Sequence, residues 1–211
     1  MMKAVILISG RGSNMEALLR AGLPVEFTAV ISNKPQAPGL AIARELGVKT
    51  AVLEHEGHPS RAAYDAKLAE LIDAHQADLI CLAGFMRILS DDFVNRYAGR
   101  LINIHPSLLP AFTGLDTHAR ALAAGVKLHG CTVHYVTPEL DVGPIIVQAA
   151  VPVLEDDTPE TLGVRVLAQE HRIYPQAVRW IAEGRVELTG DGRARVRAAG
   201  TPDAALISPR G

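Results

Sequence analysis

The sequence predicts an α/β fold built on a mostly parallel sheet with helices on both faces. Apolar runs of strand length alternate with helical stretches through the first half of the 211-residue chain, and three of those helical stretches stop at a glycine. A composition of 48% hydrophobic and 21% charged residues is enough to bury a substantial core.

The elements follow in order. Residues 4–8 form an apolar run, and 15–21 a helical stretch ended by Gly22. Residues 27–31 repeat the run, and 40–46 the helix, ended by Gly47. Ser60 can cap a helix whose Tyr64, Leu68, Leu71, Ile72 and His75 share one stripe before a strand at 79–83. Ser90 caps the next helix, with Asp91 and Asp92 well placed in its first turn and Gly99 beyond its end. A strand at 101–104, expected to be central, follows.

Past Pro110 the pattern changes to a helix at 117–124 and two strands, near 131–136 and 145–149, joined by TPELDVGP. Asp157 or Thr158 can cap a long helix that starts at Pro159, and Pro175 should bend or interrupt it before Gly184. Residues 185–197 hold TGDG between alternating segments, the mark of a terminal hairpin. Residues 198–211, rich in Ala, Gly and Pro, read as a loose tail, and residues 1–184 as a single catalytic domain.

Composition excludes several classes. A formal charge of -2 offers no basic excess for nucleic acid. Cys81 and Cys131 stand fifty residues apart with no CxxC pair, which suits a reducing compartment, the cytoplasm, rather than a disulfide or zinc scaffold. The apolar run at 4–8 is too short to span a bilayer and lacks a signal-peptide cleavage pattern, so no membrane is expected.

Three constellations could carry chemistry. In SGRGSN, residues 9–14, glycines between the first strand and first helix let backbone amides approach an anion at the helix's positive end. A tight turn with Ser13 or Asn14 as a helix cap explains the same letters, and the missing third glycine with no acid after Ser32-Asn33 argues against a dinucleotide. In INIHPSLLP, residues 102–110, Asn103 and His105 are two apart and leave one face of a strand end, where open α/β sheets bind ligands. An amide donor beside an imidazole suits a carbonyl that becomes an oxyanion while a proton moves, although both could equally satisfy nearby loop backbone. Asp141, before Gly143 and Pro144, would orient and charge His105 if the two meet; spacing alone favours turn chemistry. His118, His129 and His134 lack a compact ligand spacing, so no metal site is expected, and His134 reads as a strand residue with one local hydrogen bond.

Taken together, SGRGSN, LAGFMRILS, INIHPSLLP, GLDTH, HGCTVHYV, LDVGPI and QEHRIYP resemble the ordered motif set of the glycinamide ribonucleotide formyltransferase family, from about residue 3 to about residue 185. The resemblance implies a Rossmann-like α/β domain continued by a mixed-sheet half, and transfer of a formyl group from 10-formyltetrahydrofolate, a cosubstrate, to the amine of 5-phosphoribosylglycinamide. It implies Asn103, His105 and Asp141 as the catalytic trio. Gly12, Ser13 and Asn14 correspond to the phosphate side and Glu170 to the acid on the ribose hydroxyls. Arg61, Met86, Arg87, Ile88 and Leu89, with Thr137, Pro138, Glu139, Leu140 and Asp141, match the folate side. A homodimer is compatible with this reading.

Val142 stands where the family usually has glycine and should stiffen the folate loop; Phe112, Thr113 and Asp116 fall where the family varies. The NxHPSLLP motif and the Asp are shared by folate formyl-transferring enzymes, so the acceptor rests on SGRGSN, Glu170 and length. Rivals are a formyltetrahydrofolate deformylase, expected to carry a domain ahead of the first strand, and a methionyl-tRNA formyltransferase, expected to add a C-terminal domain and a basic face. A non-catalytic nucleotide or folate binding module would have no reason to gather Asn103, His105 and Asp141.

Overall fold

The computed structural model describes residues 1–200 and 205–209. They divide into two compact units, Met1–Asn103 with Tyr135–Pro138, and Ile104–His134 with the chain from Glu139 onward.

The first unit alternates β1 (Met2–Ile8), α1 (Ser13–Arg20), β2 (Val25–Ser32), α2 (Pro38–Glu45), β3 (Thr50–Val52), α3 (Arg61–Ala74), β4 (Leu79–Leu82) and α4 (Asp91–Arg96), and runs into β5 (Leu101–His105). Every pairing among β3, β2, β1, β4 and β5 is parallel. Burial explains why β1 is apolar throughout: Val5 and Leu7 join a cluster with Leu68, Ile72, Ile80, Phe93 and Tyr97, while Ile8, on the opposite face, lies under Gly12 and Gly39. Each fully buried Leu or Ile contributes roughly 1.5–3 kcal/mol. Ser60 and Ser90 cap α3 and α4 as expected, accepting from Ala63 N at 3.1 Å and Phe93 N at 3.4 Å.

The second unit holds α5 (Thr117–Ala123), the antiparallel pair β6 (Leu128–Tyr135) and β7 (Ile145–Pro152), α6 (Pro159–Ala182) and the hairpin β8 (Val186–Leu188) with β9 (Ala194–Val196). The sheet order is β3-β2-β1-β4-β5-β6-β7, so β5 is interior but the middle strand is β4. Within the first unit, Val136 N donates to Leu101 O at 2.9 Å, where the chain returns beside β5.

Four expectations change. β3 was not anticipated. β6 starts at Leu128 and β7 reaches Pro152, longer than the apolar letters suggest. The cap of α1 is Gly12, in the left-handed region at φ 71, and neither Ser13 nor Asn14. Pro175 does not interrupt α6, which continues to Ala182. A proline removes one backbone donor, and the buried stripe of Leu162, Val166, Ile173, Tyr174, Ala177 and Val178 outweighs that loss. The cap of α6 is Thr158, in a reciprocal box with Thr161. The expected loose tail falls partly on residues 201–204 and 210–211, outside the described residues.

Candidate active site

Strand β5 ends at His105 because Pro106 cannot donate to a ladder. The loop that follows is fastened by side chains of β6 and β7. Thr132 Oγ1 donates to Ser107 O at 2.7 Å and accepts from Leu109 N at 3.1 Å and Gln148 Nε2 at 2.9 Å. Gln148 Nε2 also donates to Leu109 O, and Thr117 Oγ1 to Pro106 O. Leu109–Pro110 is cis, and Phe112 is left-handed at φ 54.

The Phe112 carbonyl faces His105, with its oxygen 3.0 Å from Nε2. On the other side of the ring, Nδ1 lies 3.5 Å from Asp141 Oδ2. Both side chains are 7% exposed, so the pair is shielded from water. Asp141 sits at φ 56, a conformation that Asp tolerates better than most residues, and its Oδ2 also accepts from Gly114 N at 2.8 Å. A carbonyl oxygen on one side of the imidazole and a carboxylate on the other thus set the ring between two groups that favour positive charge.

Sequence reasoning missed His134. It is 2% exposed, and its Nε2 lies 3.9 Å from Asp141 Oδ1, so two histidines flank one carboxylate. The available signal was alternation: Thr132 and His134 leave the same face of β6, and Thr132 holds the loop after His105. His118 and His129 also meet, with Nδ1 and Nε2 3.2 Å apart. Burial, with the charge of His105, lowers His118; burial, then His118, lowers His129 to about 4. Asn103 is half-buried on β5, two residues from His105.

Glu170 is on α6, and at 7% exposure it is not on a solvated helix face. Burial, then the Glu170 carboxylate, pushes the Cys131 thiol up to about 12, so that cysteine is no thiolate nucleophile at neutral pH.

In the first unit, residues 9–14 turn from β1 into α1. Gly12 is required there, because a Cβ would come within 3.3 Å of Gly39 Cα at a left-handed φ. Gly39 N donates to Gly10 O at 3.1 Å, and its bare Cα lets the first turn of α2 brace the loop. Ser13 opens α1 half-buried and Asn14 is 8% exposed. Ser9 Oγ donates to Asn33 Oδ1 at 2.6 Å and accepts from Met86 N at 2.8 Å, joining this loop to the segment after β4. There Met86 and Ile88 are exposed, Leu89 is buried, and the Arg87 guanidinium lies 4.2 Å over the Tyr64 ring. Arg61, the first residue of α3, is exposed. Thr137 is half-buried and Pro138 exposed just past β6. In the second unit Glu139 and Leu140 are exposed, as is Val142 at 57%, its side chain turned outward beside the intact Asp141.

Among the described residues no cluster of three or more His, Cys, Asp or Glu is placed to hold a metal ion, and no helix is long and apolar enough to cross a membrane.

Residues 2–178 match the formyl transferase family. The chain is 49% identical over 191 residues to phosphoribosylglycinamide formyltransferase of Escherichia coli (strain K12), covering 89% of this chain and 90% of that protein. Its structure resembles glycinamide ribonucleotide transformylase 1 from Symbiobacterium toebii, with a TM-score of 0.90, 50% identity, and coverage of 93% and 94% of the two chains. A more distant likeness is formyltetrahydrofolate deformylase from Burkholderia mallei, with a TM-score of 0.83 and 33% identity over 92% of this chain and 69% of that one.

Proposed function

The chain belongs to the formyl transferase family, and on that premise we propose that it is an enzyme moving the formyl group of 10-formyltetrahydrofolate to the amine of 5-phosphoribosylglycinamide. The products are formylglycinamide ribonucleotide and tetrahydrofolate, in purine biosynthesis. The observation that carries the chemistry is the buried His105 ring between Asp141 and the Phe112 carbonyl. Likeness to enzymes of this name over nine-tenths of the chain supports the acceptor.

The neutral amine attacks the formyl carbon directly. A C–N bond forms there, the carbonyl oxygen becomes an oxyanion, and the bond from carbon to the folate nitrogen then breaks. Asn103 donates to that oxygen, and the His105 imidazolium adds positive charge beside it. Asp141 keeps the ring charged and, through a water, passes a proton from the attacking amine to the leaving nitrogen. No acyl-enzyme is needed, in keeping with a buried Cys131 thiol. Backbone amides of Gly12, Ser13 and Asn14 hold the phosphate, and Glu170 the ribose hydroxyls, supplying binding energy remote from the reacting carbon. Arg61, residues 86–89 and residues 137–141 receive the folate. Two free, buried cysteines suit the reducing cytoplasm.

Likeness to the deformylase supports one rival, in which water takes the place of the amine. Steady-state assays with and without the ribonucleotide separate the two readings. Transfer requires the amine for turnover, whereas formate release from the folate alone would establish the rival.

A further inference from the structure

The segment between β4 and α4 holds Met86 and Ile88 outward, 63% and 62% exposed, between the buried Phe85 and Leu89. Two apolar side chains kept in water need a backbone that is prevented from turning them inward. Two hydrogen bonds do this. Near the start of the segment, Met86 N donates to Ser9 Oγ. At its end, Ser90 N donates to Asp65 Oδ2 at 2.6 Å. Asp65 is on α3 and is 2% exposed. Ser90 is also the cap of α4, so this single carboxylate ties both the end of the segment and the start of a helix to α3.

The neighbour of Asp65 serves the same segment. Tyr64 carries the Arg87 guanidinium on its ring face and donates its hydroxyl to Leu53 O at 3.1 Å. Asp65 Oδ1 and Arg87 Nε are buried without a hydrogen-bond partner. Burying a carboxylate merely to fill space is costly, and a leucine would pack there without that cost. What the carboxylate supplies and an apolar side chain cannot is a short charged hydrogen bond to the Ser90 amide.

We propose that Asp65 is a positioning residue for the folate cosubstrate, fixing residues 86–90 so that Met86 and Ile88 present an apolar edge to its flat heteroaromatic ring. The inference rests on the reading of residues 86–89 as part of the folate side. Asp65 touches no reacting atom, so its loss acts on cosubstrate binding and spares the chemical step.

Steady-state kinetics with both substrates test this. Asp65→Ala raises the KM for 10-formyltetrahydrofolate about tenfold, while kcat and the KM for the ribonucleotide stay within about twofold. Asp65→Asn, whose amide oxygen still accepts from Ser90 N, returns the folate KM to within about threefold of wild type. Should Asp65→Ala fail to fold, Asp65→Ser keeps the site polar but is too short to reach Ser90 N, and it shows the same selective rise. An unchanged folate KM, an equal rise in both KM values, or an Asn variant no better than the Ala variant overturns the proposal. A wild-type protein that turns over without using the folate removes the reading beneath it, whereas active wild type with an insensitive Asp65→Ala removes this inference alone.

Discussion

Asp141→Asn removes one charge at nearly constant shape. The carboxylate serves two donors through Oδ2: Gly114 N at 2.8 Å and the His105 ring, whose Nδ1 is 3.5 Å away. An amide has one acceptor oxygen, which stays with Gly114 N–H. That oxygen, in the place of Oδ2, still lies beside His105 Nδ1, while the NH2 group takes the place of Oδ1 beside His134, so what the substitution removes at His105 is the negative charge. At an effective dielectric of about 20, unit charges 3.5 Å apart attract by roughly 5 kcal/mol. Taken as an upper bound, this corresponds to about three and a half decades in rate, so kcat falls roughly a hundred- to a thousandfold while both KM values change far less. Steady-state kinetics with both substrates, with ¹⁵N NMR of the His105 ring, follow the loss of turnover and the response of the ring. Ring spectra that superimpose for wild type and Asp141→Asn would refute the role of Asp141 even in an inactive variant.

Asn103→Ala lowers kcat about a hundredfold or more, the scale of one lost oxyanion donor, and near-normal turnover would remove Asn103 from the mechanism. Glu170→Ala raises the KM for the ribonucleotide with a smaller change in kcat; a pure turnover defect would place its role elsewhere. His129 is lowered to about 4, first by burial and then by His118, with the Pro106 carbonyl opposing and the charge of His105 adding to it. The unfolded ring binds a proton below about pH 6.5, whereas the folded ring refuses it until about pH 4, so stability falls as pH drops through that window. The loss is roughly 2 kcal/mol once solvent screening is allowed for. Urea melts of wild type and His129→Asn check it: the variant shows a flatter decline in acid, and parallel profiles would contradict the assignment.

Much of the fold was legible because it rests on local rules. The uninterrupted apolar run of β1 announces a strand covered on both sides, and Ser60, Ser90 and Thr158 cap the helices that follow them. β3 was hidden because three residues give no period, and its pairing with β2 comes from neighbouring chain. The early start of β6 was obscured by Gly130, a poor strand former, yet a Cβ there would lie 1.9 Å from Ala149 O. Asn103 and His105 were visible as a pair because strand alternation alone aligns them. His134 and the His118–His129 contact were not, since they depend on how β6 meets the loop that follows it and α5. The burial of Glu170 was not legible either, since it comes from the tertiary packing around α6.

The central claim is direct transfer of a formyl group from folate to the amine, and a single-turnover experiment with 10-formyltetrahydrofolate labelled in the formyl carbon tests it. Mixed with an excess of protein and 5-phosphoribosylglycinamide, the label passes into formylglycinamide ribonucleotide in step with formation of tetrahydrofolate, and none is trapped on the protein after rapid quenching. Label released as formate, or recovered covalently on the chain before it reaches the ribonucleotide, would contradict the account.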